Sequence, residues 1–494
     1  MVECHSIIFL RKKNCEIMRD SRNTLSKVLG RTDIIAIGFG TMVGWSWIVM
    51  ATSWVNEAGL LGTLTAFIVG GAIILAIGLT YGELTAALPL AGGEFVFAYR
   101  AMGKQVGWIV GWIMSLAYLG VAAWEGIALA TAIDYVLPIQ SMGPLWEVAG
   151  YQVYLSWSLV GMAGALVITA LNLFGARPAM LFQVMSTVAI MVVGLLILFG
   201  GISFGSVENI GKLFTSFDGF AYVFLMVPAM LIGFDVIPQS AEEMNISPKN
   251  IGKMLLVCIL ISLIWYFILI VGISIAAPLE IRASGIIPVA DVASYLFNGD
   301  IFSVIVISGG IFGILTSWNG FFIGATRLIF SMGRAGAIPS VFGIVHKKYK
   351  TPWAATLLVG AVCILSPLLG RNALNWFVDT SSMCALFSYI FVVLSFVILK
   401  KKEPELARPL KIRGGMPFGI MILVVTVLYF MLYISENLSV DTISPEFVIT
   451  ILWMTGGLIL YFVAKHFSAP YTYEQLELLI FGERLARKGG SNEK

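Results

Sequence analysis

The sequence predicts an all-α integral membrane protein with twelve transmembrane helices. Of its 494 residues, 59% are hydrophobic and only 12% are charged, and the mean hydropathy is +0.91. Soluble domains keep about a quarter of their residues charged, so this composition excludes a soluble globular protein. Because one span needs about 20 apolar residues, the chain has room for roughly a dozen spans.

Apolar runs bounded by charged residues or by glycine and proline are the candidate spans. The twelve runs lie near residues 34–56, 61–82, 106–136, 154–173, 181–201, 219–239, 252–276, 300–327, 353–370, 376–399, 416–435 and 447–466. The third run is longer than one crossing requires, so we expect a tilted helix or one that extends past the bilayer.

Basic residues between the runs predict the orientation of the chain. If the N-terminus and every second loop are cytoplasmic, the opposite side keeps only Lys212, Arg282 and Arg371. Lys and Arg concentrate in cytoplasmic loops. We therefore predict a multi-pass protein of the plasma (cell inner) membrane with both termini in the cytoplasm. Residues 7–10 form too short an apolar stretch for a cleavable signal peptide.

These runs divide the chain into consecutive segments. We expect a cytoplasmic N-terminal segment (1–33), spans one to five (34–201), spans six to ten (202–399), two C-terminal spans with the cytoplasmic loop before them (400–466), and a cytoplasmic tail (467–494) containing a short helix.

Several functions are disfavoured by what the sequence lacks. The net charge of +3 is small and its basic residues form short clusters, so we expect no nucleic-acid partner. The five cysteines show no CxxC pair, and no GxxxxGK[ST] or HExxH motif occurs. We predict neither an enzyme nor a protein with a resident cofactor. The expected partners are the lipid bilayer and a small amine-bearing solute, and nothing indicates an obligatory protein partner.

The first run has an unusual concentration of small residues at its centre. Gly38, Gly40, Gly44 and Ser46 lie within nine residues, and unwound backbone at this depth survives only where it lines a cavity or is buried in protein. The alternative is close helix packing, because Gly40-xxx-Gly44 is a small-xxx-small pattern.

The sixth run contains helix-breaking residues at a matching place. Pro228 and Gly233 bracket a stretch that can open, and Asp235 and Pro238 follow it. Each of the two interrupted runs begins a block of five spans. Corresponding breaks in two halves predict an inverted-repeat transporter with its binding site near mid-membrane.

Further short motifs follow the two interrupted runs along the chain. They are Tyr81-Gly82-Glu83-Leu84, Ala91-Gly92-Gly93-Glu94, Gly233-Phe234-Asp235, Ala241-Glu242-Glu243, residues 327–336, Glu403-Pro404-Glu405 and Arg408-Pro409. With these motifs and the glycine-rich first run, the chain resembles the amino acid–polyamine–organocation (APC) transporter superfamily from about residue 29 to residue 409. The resemblance implies a LeuT-like fold, a five-plus-five inverted repeat with discontinuous helices 1 and 6 and two additional C-terminal helices. The first break reads Gly44-Trp45-Ser46, where the family usually has Gly-Ser/Thr-Gly.

Two facing helix breaks would suit a zwitterion. Free N–H groups at the first break would hold a carboxylate, and free carbonyls at the sixth run would accept hydrogen bonds from an amine. Of the deep aromatic residues, we expect Trp45, Trp47 and Trp124 to line the pocket. The predicted substrate-binding residues are Thr41, Gly44, Trp45, Ser46, Tyr118, Glu125, Pro228, Ala229, Met230, Leu231 and Gly233.

Polar residues inside the spans are candidates for coupling and gating. Glu125 would be a proton carrier, a cation ligand, a contact for a basic substrate group, or a protonated structural residue. Asp235 would serve gating or proton coupling, or simply cap a helix. Thr316 and Ser317 offer oxygen ligands for a sodium ion, although hydroxyl groups also bond back to their own helix. Asp134 and Asp379 are expected to be structural.

The combined prediction is a secondary active transporter. It would move an amino acid across the plasma membrane by alternating access, with cation-coupled uptake. A permease or exchanger for a polyamine, ethanolamine or another organic amine is the alternative. A channel or a sensor is a third reading, and the sequence offers no nucleophile–base pair for a membrane enzyme.

Overall fold

The computed structural model describes residues 25–139, 142–283, 285, 287–437, 445–467 and 473–485. Predictions for residues 1–24 and for the end of the tail, 486–494, fall outside this range. The helices are α1 (Arg31–Met42), α2 (Ser46–Ala87), α3 (Gly93–Met102), α4 (Lys104–Val136), α5 (Leu155–Leu173), α6 (Ala176–Phe204), α7 (Phe217–Leu231), α8 (Val236–Gln239), α9 (Pro248–Ala276), α10 (Leu279–Arg282), α11 (Pro288–Phe297), α12 (Asp300–Arg334), α13 (Trp353–Leu365), α14 (Ala373–Lys402), α15 (Gly415–Asn437), α16 (Pro445–Phe467) and α17 (Tyr473–Leu485).

The prediction of an all-helical architecture is confirmed, with one addition. Strands β1 (Pro144–Val148) and β2 (Tyr151–Tyr154) form an antiparallel hairpin between α4 and α5. Its turn residues Ala149 and Gly150 have φ of 47° and 78°, the left-handed values that a two-residue hairpin turn requires. This hairpin is not predicted from the sequence, because its strands have only five and four residues.

Ten helices in the described residues are long and apolar enough to cross a membrane. One of them, α2, contains the end of the first predicted run and all of the second, with non-helical backbone at Gly59. Residues Trp353–Leu369 form a shorter apolar helix where the ninth run was predicted. The number of twelve crossings stays a prediction.

The outer surface of the helices is apolar. Along α6, the side chains of Leu181, Met185, Val192 and Phe199 are largely exposed, and their spacing of four and seven residues places them on one face of the helix. Exposed apolar faces of this length are favourable in lipid and costly in water. The protein is therefore a multi-pass membrane protein.

The first and sixth predicted runs are both interrupted. Helix α1 ends at Met42 and α2 begins at Ser46, while α7 ends at Leu231 and α8 begins at Val236. The second break begins later than we predicted, because Pro228 is accommodated inside α7. Gly233, with φ of 125°, provides the left-handed backbone that favours glycine.

The two breaks touch each other at the centre of the molecule. A Cβ atom added to Gly233 would lie 2.8 Å from Thr41 Cγ2 and 2.9 Å from the Thr41 carbonyl carbon, so a side chain there would push the breaks apart. Around them, α9 packs against α1, α2 and α6, and α12 packs against α1, α4 and α6. These long helices hold the two breaks in place.

One end of the helix bundle, here called the basic face, carries a set of partly or fully buried ion pairs. Breaking such a pair leaves an unpaired buried charge, so the pairs fix the segments they join. The pairs are Arg327–Glu243 at 2.6 Å, Arg334–Glu242 at 3.0 Å, Arg100–Glu403 at 2.9 Å, Arg100–Glu477 at 3.0 Å, Lys400–Glu83 at 2.7 Å and Arg408–Glu83 at 3.2 Å.

An arginine of α3 helps to anchor helix α17 to this face. Arg100 donates hydrogen bonds to Glu477 and to the Leu485 carbonyl, both at 3.0 Å, and its guanidinium lies 4.7 Å from the centre of the Phe481 ring. This helix lies where the tail helix was predicted.

Candidate functional site

A small cavity lies where the two helix breaks meet. Its volume is about 60 Å³, which is room for a few water molecules and less than an amino acid needs. The lining side chains must therefore move to admit a solute of that size. The residues that line it are Thr41, Met42, Gly44, Trp45, Ser46, Val121, Trp124, Glu125, Ala229, Met230, Ile232, Ser317, Phe321, Val378, Ser381 and Ser382.

The start of α2 brings a positive helix end to this cavity. No side chain caps the helix at Trp45, and the first N–H groups of a helix have no partner within it. The helix dipole adds partial positive charge at the same place. Gly44 and Ser46, which flank Trp45, line the cavity, so this end is suited to bind an anion such as a carboxylate.

The end of α7 brings carbonyl oxygens of opposite polarity. The hydroxyl of Tyr266, on α9, lies 3.2 Å from the Met230 carbonyl of α7 and 3.3 Å from the Met42 carbonyl of α1. A tyrosine hydroxyl has one proton to donate, so it serves one of these carbonyls at a time. The other carbonyl is left to accept a hydrogen bond from an amine.

Glu125 of α4 is the only carboxylate that lines the cavity in the described structure. Its side chain is fully buried, and Oε1 accepts a hydrogen bond from the Ser317 hydroxyl of α12. Its other oxygen, Oε2, has no hydrogen-bond partner among the described residues. A Cβ atom on Gly44 would lie 2.9 Å from Ser317 Oγ, so a glycine is needed where α2 approaches this pair.

Thr316 directs its hydroxyl group toward its own helix, whereas Ser317 lies close to its own helix and donates to Glu125. Thr316 Oγ1 donates to the Gly313 carbonyl at 2.9 Å, and Ser317 Oγ lies 3.1 Å from the same carbonyl. Their oxygens keep lone pairs that can hold a hard cation. Thr316 does not line the cavity, and the sodium assignment stays a prediction.

A buried amide joins α1, α6 and α12 near this point. Gln183 of α6 donates through Nε2 to the Ala36 carbonyl at 3.1 Å and to the Thr316 carbonyl at 3.2 Å. Its Oε1 accepts a hydrogen bond from Asn319 at 2.8 Å. Sequence reasoning missed this link, although a glutamine in an apolar run was a visible signal.

Asp235 stabilises the second break and does not line the cavity. Its Oδ1 accepts a hydrogen bond from the Gly233 N–H at 2.9 Å, and its Oδ2 accepts one from the Tyr389 hydroxyl at 3.0 Å. Asp235 thereby links the backbone of the break to α14. Any movement of the break must disturb this link.

Tyr118 lies farther from the cavity than we expected. Its hydroxyl is 3.5 Å from Glu94 of α3 and 3.4 Å from Gln239 of α8, and Gln239 also donates to Glu94. Burial raises the pKa of the Glu94 carboxyl well above its usual value. In the sequence, Glu94 stands out only as part of a family motif, and this cluster is not predicted.

Residues 29–460 match the amino acid permease family. This chain is a member of the APC family of amino acid permeases. It is 26% identical to the branched-chain amino acid permease BcaP of Bacillus subtilis over 467 residues, covering 92% of this chain and 97% of that protein.

Other similar proteins carry different names. The methylthioribose transporter of Bacillus subtilis is 23% identical over 92% of this chain and 97% of its own length. The aspartate-proton symporter of the same organism is 26% identical over 91% of this chain and 85% of its own length. The family and these relatives are transporters and not enzymes. Membership of the family indicates amino acid transport as the general function of this permease.

The structure brings many of the predicted site residues of the permease together. Trp47 does not line the cavity and instead packs edge-on against Trp265, with ring centres 5.4 Å apart, whereas Trp124 does line it. Their roles in binding stay predictions. The residues predicted for substrate binding, coupling or gating that line the cavity are Thr41, Gly44, Trp45, Ser46, Glu125, Ala229, Met230 and Ser317, and those that do not are Tyr118, Pro228, Leu231, Gly233, Asp235 and Thr316.

Proposed function

We propose that this permease is a secondary active transporter that moves an amino acid across the plasma membrane by alternating access, with cation-coupled uptake. The observation that carries the proposal is the meeting of two helix breaks of opposite polarity at one cavity. The start of α2 binds the carboxylate, and the end of α7 binds the amine. A polyamine or ethanolamine lacks the carboxylate and would leave the α2 end without its ligand.

The proposal includes the inverted-repeat arrangement of the helices. Helix α2 belongs to two crossings, since it contains the second half of the first run and all of the second run. With Trp353–Leu369 included, the chain crosses the membrane twelve times. Spans one to five and six to ten form the two repeats, each beginning with a broken helix. The basic face then lies in the cytoplasm together with both termini, in agreement with the positive-inside rule.

We assign the coupling of transport to an ion gradient to polar groups close to the two helix breaks. Glu125 lies in the cavity and Asp235 holds the second break, so a proton on either group would change how the breaks are held. Thr316 and Ser317 remain the proposed ligands for sodium. One relative is named as a permease for branched-chain amino acids and another as a symporter for aspartate and protons. Similarity to these relatives therefore does not identify the substrate or the coupling ion.

Uptake by purified protein in liposomes tests the proposal. We expect saturable uptake of a radiolabelled amino acid, acceleration by unlabelled amino acid inside the vesicle, and stimulation by an imposed sodium or proton gradient. A channel would show neither saturation nor counterflow. Absence of uptake for every amino acid in folded, correctly inserted protein would refute the transport assignment.

A matched pair of glycine variants tests the site itself. The added methyl group in Gly44→Ala would lie 2.9 Å from Ser317 Oγ, at the edge of the cavity, whereas in Gly456→Ala it would meet nothing within 4 Å. We expect at least about a tenfold loss of uptake for the first, as for other small displacements in a binding site, and none for the second. Equal uptake by both variants would move the site elsewhere.

A further inference from the structure

Two loops at the same end of the bundle as the basic face form one surface, here called the loop patch. It consists of residues 173–178, between α5 and α6, and residues 339–352, between α12 and α13. The Thr351 hydroxyl donates a hydrogen bond to the Leu173 carbonyl at 3.0 Å, across 178 residues of chain. The second loop also packs on α12 through the short helix Ser340–Gly343. The two loops are therefore held together.

The loop patch carries positive charge and no carboxylate. Its basic residues are Arg177, Lys347, Lys348 and Lys350, and neither loop contains Asp or Glu. These basic side chains are all exposed, and none of them forms an ion pair among the described residues. On the basic face, by contrast, the buried basic side chains are paired with glutamates. Exposed charges of one sign attract a partner of the opposite sign.

Large apolar side chains are exposed on the same two loops. Phe174 is 59% exposed, Ile344 is 42% exposed and Val341 is 41% exposed. The ring of Phe174 meets that of Tyr349 edge to face, with the ring centres 5.6 Å apart, so Phe174 is held in its exposed position. A soluble anion would leave these apolar side chains in water, which is unfavourable. A partner that matches the loop patch is therefore both anionic and apolar.

The loop patch continues into the lipid-exposed face of α6. Arg177, Leu181 and Met185 are spaced four residues apart, so they lie on one face of this helix. Leu181 and Met185 are 64% and 65% exposed. Arg177 lies about 6 Å along the helix axis from Leu181. The basic side chains are therefore close to the level at which hydrocarbon gives way to phospholipid headgroups.

We propose that the loop patch binds an anionic phospholipid of the bilayer. The headgroup phosphate pairs with Arg177 and with the lysines of residues 339–352, because Lys and Arg form strong charge-assisted hydrogen bonds with phosphate. The acyl chains lie along Leu181 and Met185. A zwitterionic lipid binds less well, since the lysines repel its ammonium group. The bound lipid covers both loops and thereby joins the α5–α6 connection to the α12–α13 connection.

Two phospholipids with the same acyl chains test the proposal on the wild-type protein. Purified permease is titrated in detergent with phosphatidylglycerol or phosphatidylcholine, and bound lipid is counted by native mass spectrometry while the thermal midpoint is followed. We expect phosphatidylglycerol to bind at least about tenfold more tightly, to raise the midpoint, and to lose this advantage at high salt. Equal binding of the two lipids overturns the inference. Equal stabilisation by inorganic phosphate also overturns it, because it would show a site for a soluble anion.

Two double variants with the same change in net charge locate the bound lipid. Lys347→Gln/Lys350→Gln alters the loop patch, whereas Lys249→Gln/Lys253→Gln alters exposed lysines at the start of α9. All of these side chains are exposed, so both proteins should fold like the wild type. We expect at least about tenfold weaker binding of phosphatidylglycerol by the first variant and unchanged binding by the second.

An equal loss of binding in the two variants would show a general attraction to the basic end of the protein and would overturn the inference. Unchanged binding in Lys347→Gln/Lys350→Gln would overturn it as well. These readouts do not involve uptake, so they leave the proposed transport function untouched in either case.

Discussion

Removing the hydroxyl of Tyr266 should weaken the link between the two helix breaks. In Tyr266→Phe the ring remains, with its centre 5.2 Å from that of Phe67 and 5.4 Å from that of Trp265. The hydroxyl is lost, and with it the hydrogen bond that it donates to the Met42 or the Met230 carbonyl, at 3.3 and 3.2 Å. Since an unsatisfied buried acceptor costs about 1–3 kcal/mol, we expect a loss of stability in this range.

The measurement is the thermal midpoint of detergent-purified protein, together with uptake in liposomes. The control is Tyr295→Phe, because Tyr295 is about half exposed on α11 and exposed sites usually change stability by less than about 0.5 kcal/mol. We expect a lower midpoint and slower uptake for Tyr266→Phe alone. If the two variants unfold at the same temperature, the hydroxyl does not hold the breaks together.

Three further predictions concern the scaffold around the site. Gly59→Ala should lower the thermal midpoint, because Gly59 has φ of 75° and ψ of 172°, a region that costs other residues about 1–3 kcal/mol; Gly456→Ala should not, and equal midpoints would contradict the strain. Glu94→Gln should remove a pH dependence of the stability. Because the pKa of Glu94 is raised in the folded state, the unfolded state loses the Glu94 proton at a lower pH than the folded state does. The stability of the wild type relative to the variant therefore falls as the pH rises above the usual carboxyl pKa. A constant difference between pH 5 and 9 would show that the raised pKa is wrong. Glu477→Ala should increase proteolysis of α17 by breaking its ion pair with Arg100, and unchanged cleavage would show that the pair does not dock the helix.

The sequence predicted the features that depend on local chemistry. The glycines around Gly44 and the pair Pro228 and Gly233 identified both helix breaks, because a proline or a run of glycines weakens a helix wherever it lies. The position of the second break was less accurate. Pro228 stays inside α7 and the helix ends at Leu231, since neighbouring helices can hold a proline-containing turn in place.

The residues that the sequence did not reveal act across long separations. Tyr266 joins carbonyls that lie 224 and 36 residues away, and Gln183 joins α1 to α12. Nothing in the local pattern shows which backbone group such a side chain will meet. Ser381 is similar, because its place in the cavity depends on how α14 packs against α4.

Binding of matched ligands tests the central claim that the two breaks hold an amine and a carboxylate together. The amino acid that the liposome assay identifies as the best substrate is compared with the amine that lacks its carboxylate and with the hydroxy acid that lacks its amine, by thermal shift of the purified permease. At about 100 times its Kd, a ligand stabilises its protein by about 2.7 kcal/mol. We predict a large upward shift with the amino acid and little or none with either analogue. A shift with the amine equal to that with the amino acid would contradict binding by both breaks.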